Sequence, residues 1–210
     1  MTTMKRLTPR RGTLLVAVAT LGGALLAGCA PLIVGGAMVG GTMVMMDRRT
    51  TGAQVDDQAI ELKAANRVGE ALGDRAHVNV TSYNRTVLIT GEALTEADRS
   101  AVEQAVQRVE NVRSIVNEVG VMAPSSLASR SNDTILTSKV KATFVDARDL
   151  HANAFKVVTE RSNVYLMGRV TEREANRASE LARAVAGVQK VVRVFEVISE
   201  AELADSAPKK

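Results

Sequence analysis

"TVLITGEALTEADRSAVEQAVQRVENVRSIVNEV", residues 86–119, has a second version later in the same chain, "NVYLMGRVTEREANRASELARAVAGVQKVVRVFEV", residues 163–197. Val87-Leu88-Ile89-Thr90-Gly91 aligns with Val164-Tyr165-Leu166-Met167-Gly168. After an offset of one residue, Thr95-Glu96-Ala97-Asp98 aligns with Thr171-Glu172-Arg173-Glu174, and Asn111-Val112 then aligns with Gly187-Val188. Self-similarity on this scale marks a repeated structural unit. Each copy is also preceded by a helix-like segment, residues 57–72 and 133–145.

Both units read in the same order. The opening helix is followed by a strand (77–82; 154–159) and a second strand (86–90; 163–167). A helix with a capping signal comes next: Thr171 with Glu174 is the full Thr-x-x-Glu box and Thr95 with Asp98 a variant. A valine-rich strand closes each unit (113–121; 190–198). The order αββαβ predicts an α+β fold of two tandem domains, each a three-stranded mixed sheet with one apolar face covered by two helices. Gly91 and Gly168 are expected to end the second strand at a sharp structural turn, where close approach and unusual backbone angles favour glycine.

Upstream, Lys5, Arg6, Arg10 and Arg11 precede an apolar run, residues 13–26, which has the length of a signal-peptide core. Leu26-Ala27-Gly28-Cys29 follows, and Cys29 is the only cysteine. The small residues fit a signal-peptidase cleft. This pattern resembles the lipobox of bacterial lipoproteins, which implies acylation of Cys29 (palmitate among its acyl chains) and cleavage before it. A retained transmembrane span is the competing reading, but Pro31 and the glycine pairs at 35–36 and 40–41 make a poor uninterrupted helix. The expected layout is a signal peptide (1–28), a lipid-anchored Gly/Met-rich tether (29–54), a first domain (55–121), a linker (122–131), a second domain (132–198) and a disordered tail (199–210). Ala30 follows the cysteine; in lipoproteins an Asp there often directs inner-membrane retention, so outer-membrane sorting is expected.

With no Trp and aromatics at 2% of the chain, the cores must be aliphatic. Charge divides unevenly between the units. Residues 55–121 hold 7 Lys/Arg against 11 Asp/Glu, whereas residues 127–198 hold 12 against 8. An anionic membrane surface attracts the second and repels the first.

The αββαβ order, the hydrophobic-Gly pattern and the closing "GV-x-x-V" resemble the BON domain family, and a lipobox followed by two such units resembles its dual-domain outer-membrane lipoproteins. "SNDTILTSKV" and "YLMGRVTEREA" carry the likeness most specifically. The resemblance implies a non-enzymatic protein facing the periplasm. It also implies binding of anionic phospholipid through the opening helix of the second unit, and support of envelope integrity at the division site.

Helical spacing gives that helix two faces. Leu136, Val140 and Phe144 share the core side. Ile135, Ser138, Ala142 and Val145 lie opposite, flanked by Lys139 and Lys141. An apolar stripe edged by cations suits a helix lying in a lipid interface, and these six residues are the candidate lipid-binding set. Single exposed apolar residues are also common on ordinary protein surfaces, so on the residues alone packing of Ile135 and Val145 against the linker or the first unit is the simpler account, and the family resemblance is what favours lipid. In the first unit Ile60, Ala64, Val68 and Leu72 face the core, and Glu61, Asn66 and Glu70 the outside.

No catalytic constellation is legible. His77 and His151 have no Cys or paired acid at ligand spacing, so no metal or cofactor is expected. Ser125-Ser126 lacks a triad context, and "VGGAMVGG" lacks the Lys-Ser/Thr of a phosphate loop. Nucleic acid and small-molecule substrates are not expected partners. Two functional readings stand: a module for anionic phospholipid bilayers (phosphatidylglycerol), or a periplasmic adaptor for an envelope protein partner in assembly or cell-wall remodelling.

Overall fold

The computed structural model describes residues 47–206, which belong to one compact unit, Val44–Lys210. Cys29, the expected signal peptide and the expected tether up to residue 46 lie outside the described residues.

The first helix, α1 (Thr51–Leu72), starts where the Thr50 hydroxyl accepts the Ala53 N–H at 3.1 Å. It therefore begins inside the predicted tether, ahead of residue 57, because Thr50 supplies the cap. It buries Ala53, Asp57, Ile60, Ala64, Val68 and Leu72, a single helical face. β1 (Ala76–Tyr83) and β2 (Thr86–Ala93) form an antiparallel hairpin with Tyr83 opposite Thr86. Its loop residues, Asn84 and Arg85, have φ of 49° and 64°, the positive angles of a primed two-residue turn. α2 (Glu96–Gln107) is capped by Thr95.

The chain then returns parallel to β2 in two pieces, β3 (Ser114–Asn117) and β4 (Gly120–Val121). The closing strand expected over 113–121 is thus interrupted at Glu118-Val119. The Asn117 side chain accepts the Val119 N–H at 3.2 Å, and Val119 turns into the core.

The second unit repeats the plan. α3 (Leu127–Asp146) is capped by Ser126 and so begins within the predicted linker. β5 (Phe155–Glu160) and β6 (Asn163–Val170) pair antiparallel around Arg161 and Ser162, again at positive φ, 51° and 60°. α4 (Glu172–Ala184) carries the complete capping box of Thr171 and Glu174. β7 (Lys190–Val197) runs parallel to β6 without a break. The tail was expected to be disordered, yet α5 (Glu200–Ser206) is helical. Ser199 accepts the Glu202 N–H at 3.1 Å, and Arg169 holds the Glu202 carboxylate.

A buried aspartate fixes each hairpin to its opening helix. Asp57 accepts the N–H groups of Asn84 and Arg85, each at 2.8 Å, and the Ser82 hydroxyl at 2.6 Å. Asp133 accepts those of Arg161 and Ser162, each at 2.8 Å. The turn amides of both hairpins would otherwise be unpaired, which is costly where water is excluded.

Gly91 and Gly168 do not end their strands. Both lie inside the ladder, opposite Val78 and Phe155, and the strands run on to Ala93 and Val170. The reason for glycine is close approach. A Cβ on Gly91 would sit 2.2 Å from the His77 carbonyl oxygen, and one on Gly168 2.5 Å from that of Ala154. Gly91 also has φ +114°, while Gly168 has an ordinary angle.

Each central strand is buried on both faces. Val87 and Ile89 meet α1 and α2, and Val164, Leu166 and Val170 meet α3 and α4. The alternate residues build a third core, in which Leu88 and Tyr83 pack with Tyr165, Met167 and Val194. The sheets thus stack face to face, a second covered face that the one-sided expectation lacked; the unbroken apolar runs of β2 and β6 are its signature. All three cores draw their residues from positions 60–194, so the body 44–210 has its own apolar interior.

Candidate lipid-facing surface on the second opening helix

α3 buries Asp133, Leu136, Val140 and Phe144. Everything predicted for its outer side is exposed: Ile135, Ser138, Lys139, Lys141, Ala142 and Val145. Ile135 is 53% and Val145 72% accessible. The hydroxyls of Thr134, Ser138 and Thr143 each donate at 3.0 Å to the carbonyl four residues back, at Arg130, Thr134 and Lys139. Their hydrogen-bonding capacity is largely spent within the helix, which makes this surface less polar than its composition. Lys139 and Lys141 have no acidic partner within ion-pair distance among the described residues.

α1 differs less in apolarity than expected. Val55 and Leu62 are 62% and 66% exposed. The difference lies in charge. Glu61, placed on the outer side by helical spacing, reaches the second unit: its carboxylate takes Lys156 Nζ at 2.8 Å, and it also accepts the Ser82 N–H at 2.8 Å. Asn66 and Glu70 are exposed. Lys63 is matched by Glu110 at 2.7 Å.

Sequence reasoning passed over the residues just before α1. Arg48 reaches into the second unit, donating to both Glu174 oxygens at 2.7 and 2.8 Å and to the Arg169 carbonyl at 3.0 Å. Burial works against the Glu174 charge, but Arg48 and the Thr171 N–H outweigh it and hold its carboxyl below the ordinary range. Arg49 pairs with Asp57 at 2.7 Å and lies 4.3 Å over the Tyr83 ring. The adjacent arginines thus fasten the incoming chain to both units. Their only signal in the sequence is a charged pair directly after an apolar stretch.

The BON domain model matches residues 56–123 and 132–199. The chain belongs to the BON domain family. The chain is 37% identical over 176 residues to the outer membrane lipoprotein DolP of Haemophilus influenzae, covering 82% of this chain and 90% of the relative. A 21 kDa hemolysin of Actinobacillus pleuropneumoniae is 31% identical over 73% of this chain and 80% of its own length. Among solved structures, the type III secretion protein CdsD of Chlamydia trachomatis covers 73% of this chain and 97% of its own at 12% identity and a TM-score of 0.28, too distant to bear on the fold. The relationship to a protein named as an outer membrane lipoprotein, together with the two BON domains, supports an outer-membrane BON lipoprotein. No helix among the described residues is long and apolar enough to cross a membrane. Neither of these two relatives is named as an enzyme.

Proposed function

We propose that the protein is anchored through acyl chains on Cys29 and docks its second BON domain on anionic phospholipid, phosphatidylglycerol, in support of envelope integrity at the division site. The observation that carries this reading is α3: Ile135, Ala142 and Val145 are exposed beside two lysines that have no acidic partner among the described residues. Apolar side chains enter the headgroup boundary and the lysines meet its phosphates. Each lysine near an anionic surface contributes about 1 kcal/mol, so losing both weakens binding roughly 30-fold. The first unit, with its acidic excess, is not drawn to that surface.

Flotation of the body 44–210 with vesicles tests this. Co-flotation with phosphatidylglycerol that falls with salt and is absent from phosphatidylcholine supports the reading; equal behaviour with both lipids sinks it. A second reading, a periplasmic adaptor for an envelope protein partner, is favoured by β7. Among the described residues this eight-residue strand pairs with β6 alone, leaving one edge for strand addition.

A further inference from the structure

Beside the C-terminal turns of α3 lies a cavity of about 330 Å³ that both units build. Tyr83, Phe144 and Phe155 are among its walls, and Arg49, Lys141 and Lys156 supply its cations. Val145 and Asn153, which also line it, are exposed.

The charges in this cavity are not equivalent. Arg49 is neutralised by Asp47, itself part of the lining, and by Asp57. Lys156 is matched by Glu61 and also donates to the Ser82 carbonyl at 3.2 Å. An ammonium has three N–H donors, so Lys156 retains one. Lys141 has no acidic partner among the described residues. The cavity therefore offers an uncompensated cation, a second cation with a spare donor, and an aromatic corner where Phe144 and Phe155 meet edge to face at 5.2 Å. Its volume lies near the bottom of the usual range for ligand sites, about 300–1,000 Å³, which suits a headgroup better than an acyl chain.

We propose that this cavity receives the phosphodiester headgroup of an anionic phospholipid, with Lys141 and Lys156 on the phosphate oxygens and the aromatic corner against the glycerol. The inference rests on the α3 docking reading and deepens it. Docking becomes recognition of one headgroup at a site that also needs the first unit, through Tyr83, Arg49 and the Glu61 that holds Lys156.

Lys139 and Lys141 separate the two ideas. Both sit on the exposed surface of α3, but only Lys141 lines the cavity. Binding of the body 44–210 to phosphatidylglycerol vesicles is measured for K139Q, K141Q and N153D, with melting curves to confirm folding. Asn153 makes no side-chain hydrogen bond among the described residues, so N153D adds only a negative charge at the cavity. K139Q is expected to lose about fivefold, the effect of one surface lysine, and K141Q and N153D about tenfold or more. Millimolar glycerophosphoglycerol, the soluble headgroup, should displace the wild type from vesicles. Equal losses for the two lysines, with N153D and the soluble headgroup without effect, overturn the cavity proposal and leave surface docking intact. Absence of vesicle binding by the wild type overturns both. Binding of inorganic phosphate or soluble headgroup at Lys141 without vesicle binding overturns the lipid assignment in favour of a free phosphoester.

Discussion

The two BON units share one strand order, one hairpin anchor and a threonine cap on the second helix, yet their opening helices face the surroundings differently. α1 and α3 both expose large aliphatic side chains, Val55 and Leu62 on one, Ile135 and Val145 on the other. Apolar exposure alone therefore does not distinguish them. The charges do: α1 is tied down by cross-unit and local ion pairs, whereas Lys139 and Lys141 of α3 are left to solvent. A duplicated fold can keep its core code in both copies and vary function through residues the core does not constrain.

The largest expected effects test what the copies share. Gly168→Glu places a charged side chain where even Cβ meets the Ala154 carbonyl, and the second unit should lose its fold, seen as loss of its cooperative melting transition. With alanine the copies should diverge. Gly91→Ala should cost more than Gly168→Ala, because Gly91 adds a φ of +114° to the closer contact. Equal melting temperatures would contradict the distinction.

Neighbouring positions on α3 give the next contrast. Leu136→Asp buries a charge in a site 1% exposed and should destabilise the unit by about 4 kcal/mol or more. Ile135→Asp, on the outer side, should leave the melting temperature within a degree or two while weakening vesicle binding.

The paired aspartates come next. Asp57→Ala and Asp133→Ala each free two turn N–H groups and should cost about 2–3 kcal/mol in denaturant unfolding, with Asp57 the larger because Ser82 and Arg49 lose a partner as well. Burial raises the Asp57 pKa, but the Ser82 hydroxyl, the hairpin amides and Arg49 prevail and hold it below the ordinary value of 3.8. Its contribution is therefore present above 3.8 and is lost as pH falls through the lowered value. Asp57→Asn should flatten that acid limb.

The smallest effect concerns Glu160. Burial first, and then the Glu92 carboxylate, push its pKa above the ordinary 4.5. Its contribution is full below 4.5 and fades as pH rises through the raised value. Glu160→Gln, which mimics the protonated group, should stabilise by about 1 kcal/mol at neutral pH and give no gain in acid. A stability loss at neutral pH would contradict this.

Much of this was legible in the sequence. Internal repetition exposed both αββαβ units, and helical spacing placed Leu136 and Ile135 on opposite sides of α3. Other features were hidden because they depend on contacts across the chain. Gly91 and Gly168 read as turns, since local sequence shows a demand for glycine but not whether a turn or a neighbouring strand imposes it. The sheet-to-sheet core escaped because a run such as Val164-Tyr165-Leu166-Met167 does not reveal what covers its second face. The pairing of Glu61 was not legible, and Arg48 looked like tether, because their partners, Lys156 and Glu174, lie in the other unit. The tail helix was missed because a short polar segment carries little periodic signal, and its order comes from Ser199 and Arg169.

The central claim, that the second opening helix and not the first meets anionic lipid, is tested most directly by residue-resolved NMR of the body 44–210 titrated with phosphatidylglycerol micelles. The account predicts that shifts concentrate on Ile135, Lys139, Lys141, Ala142 and Val145 and disappear in Ile135→Asp. Shifts centred on Val55 and Leu62 of α1, or an Ile135→Asp variant that binds like the wild type, would contradict it.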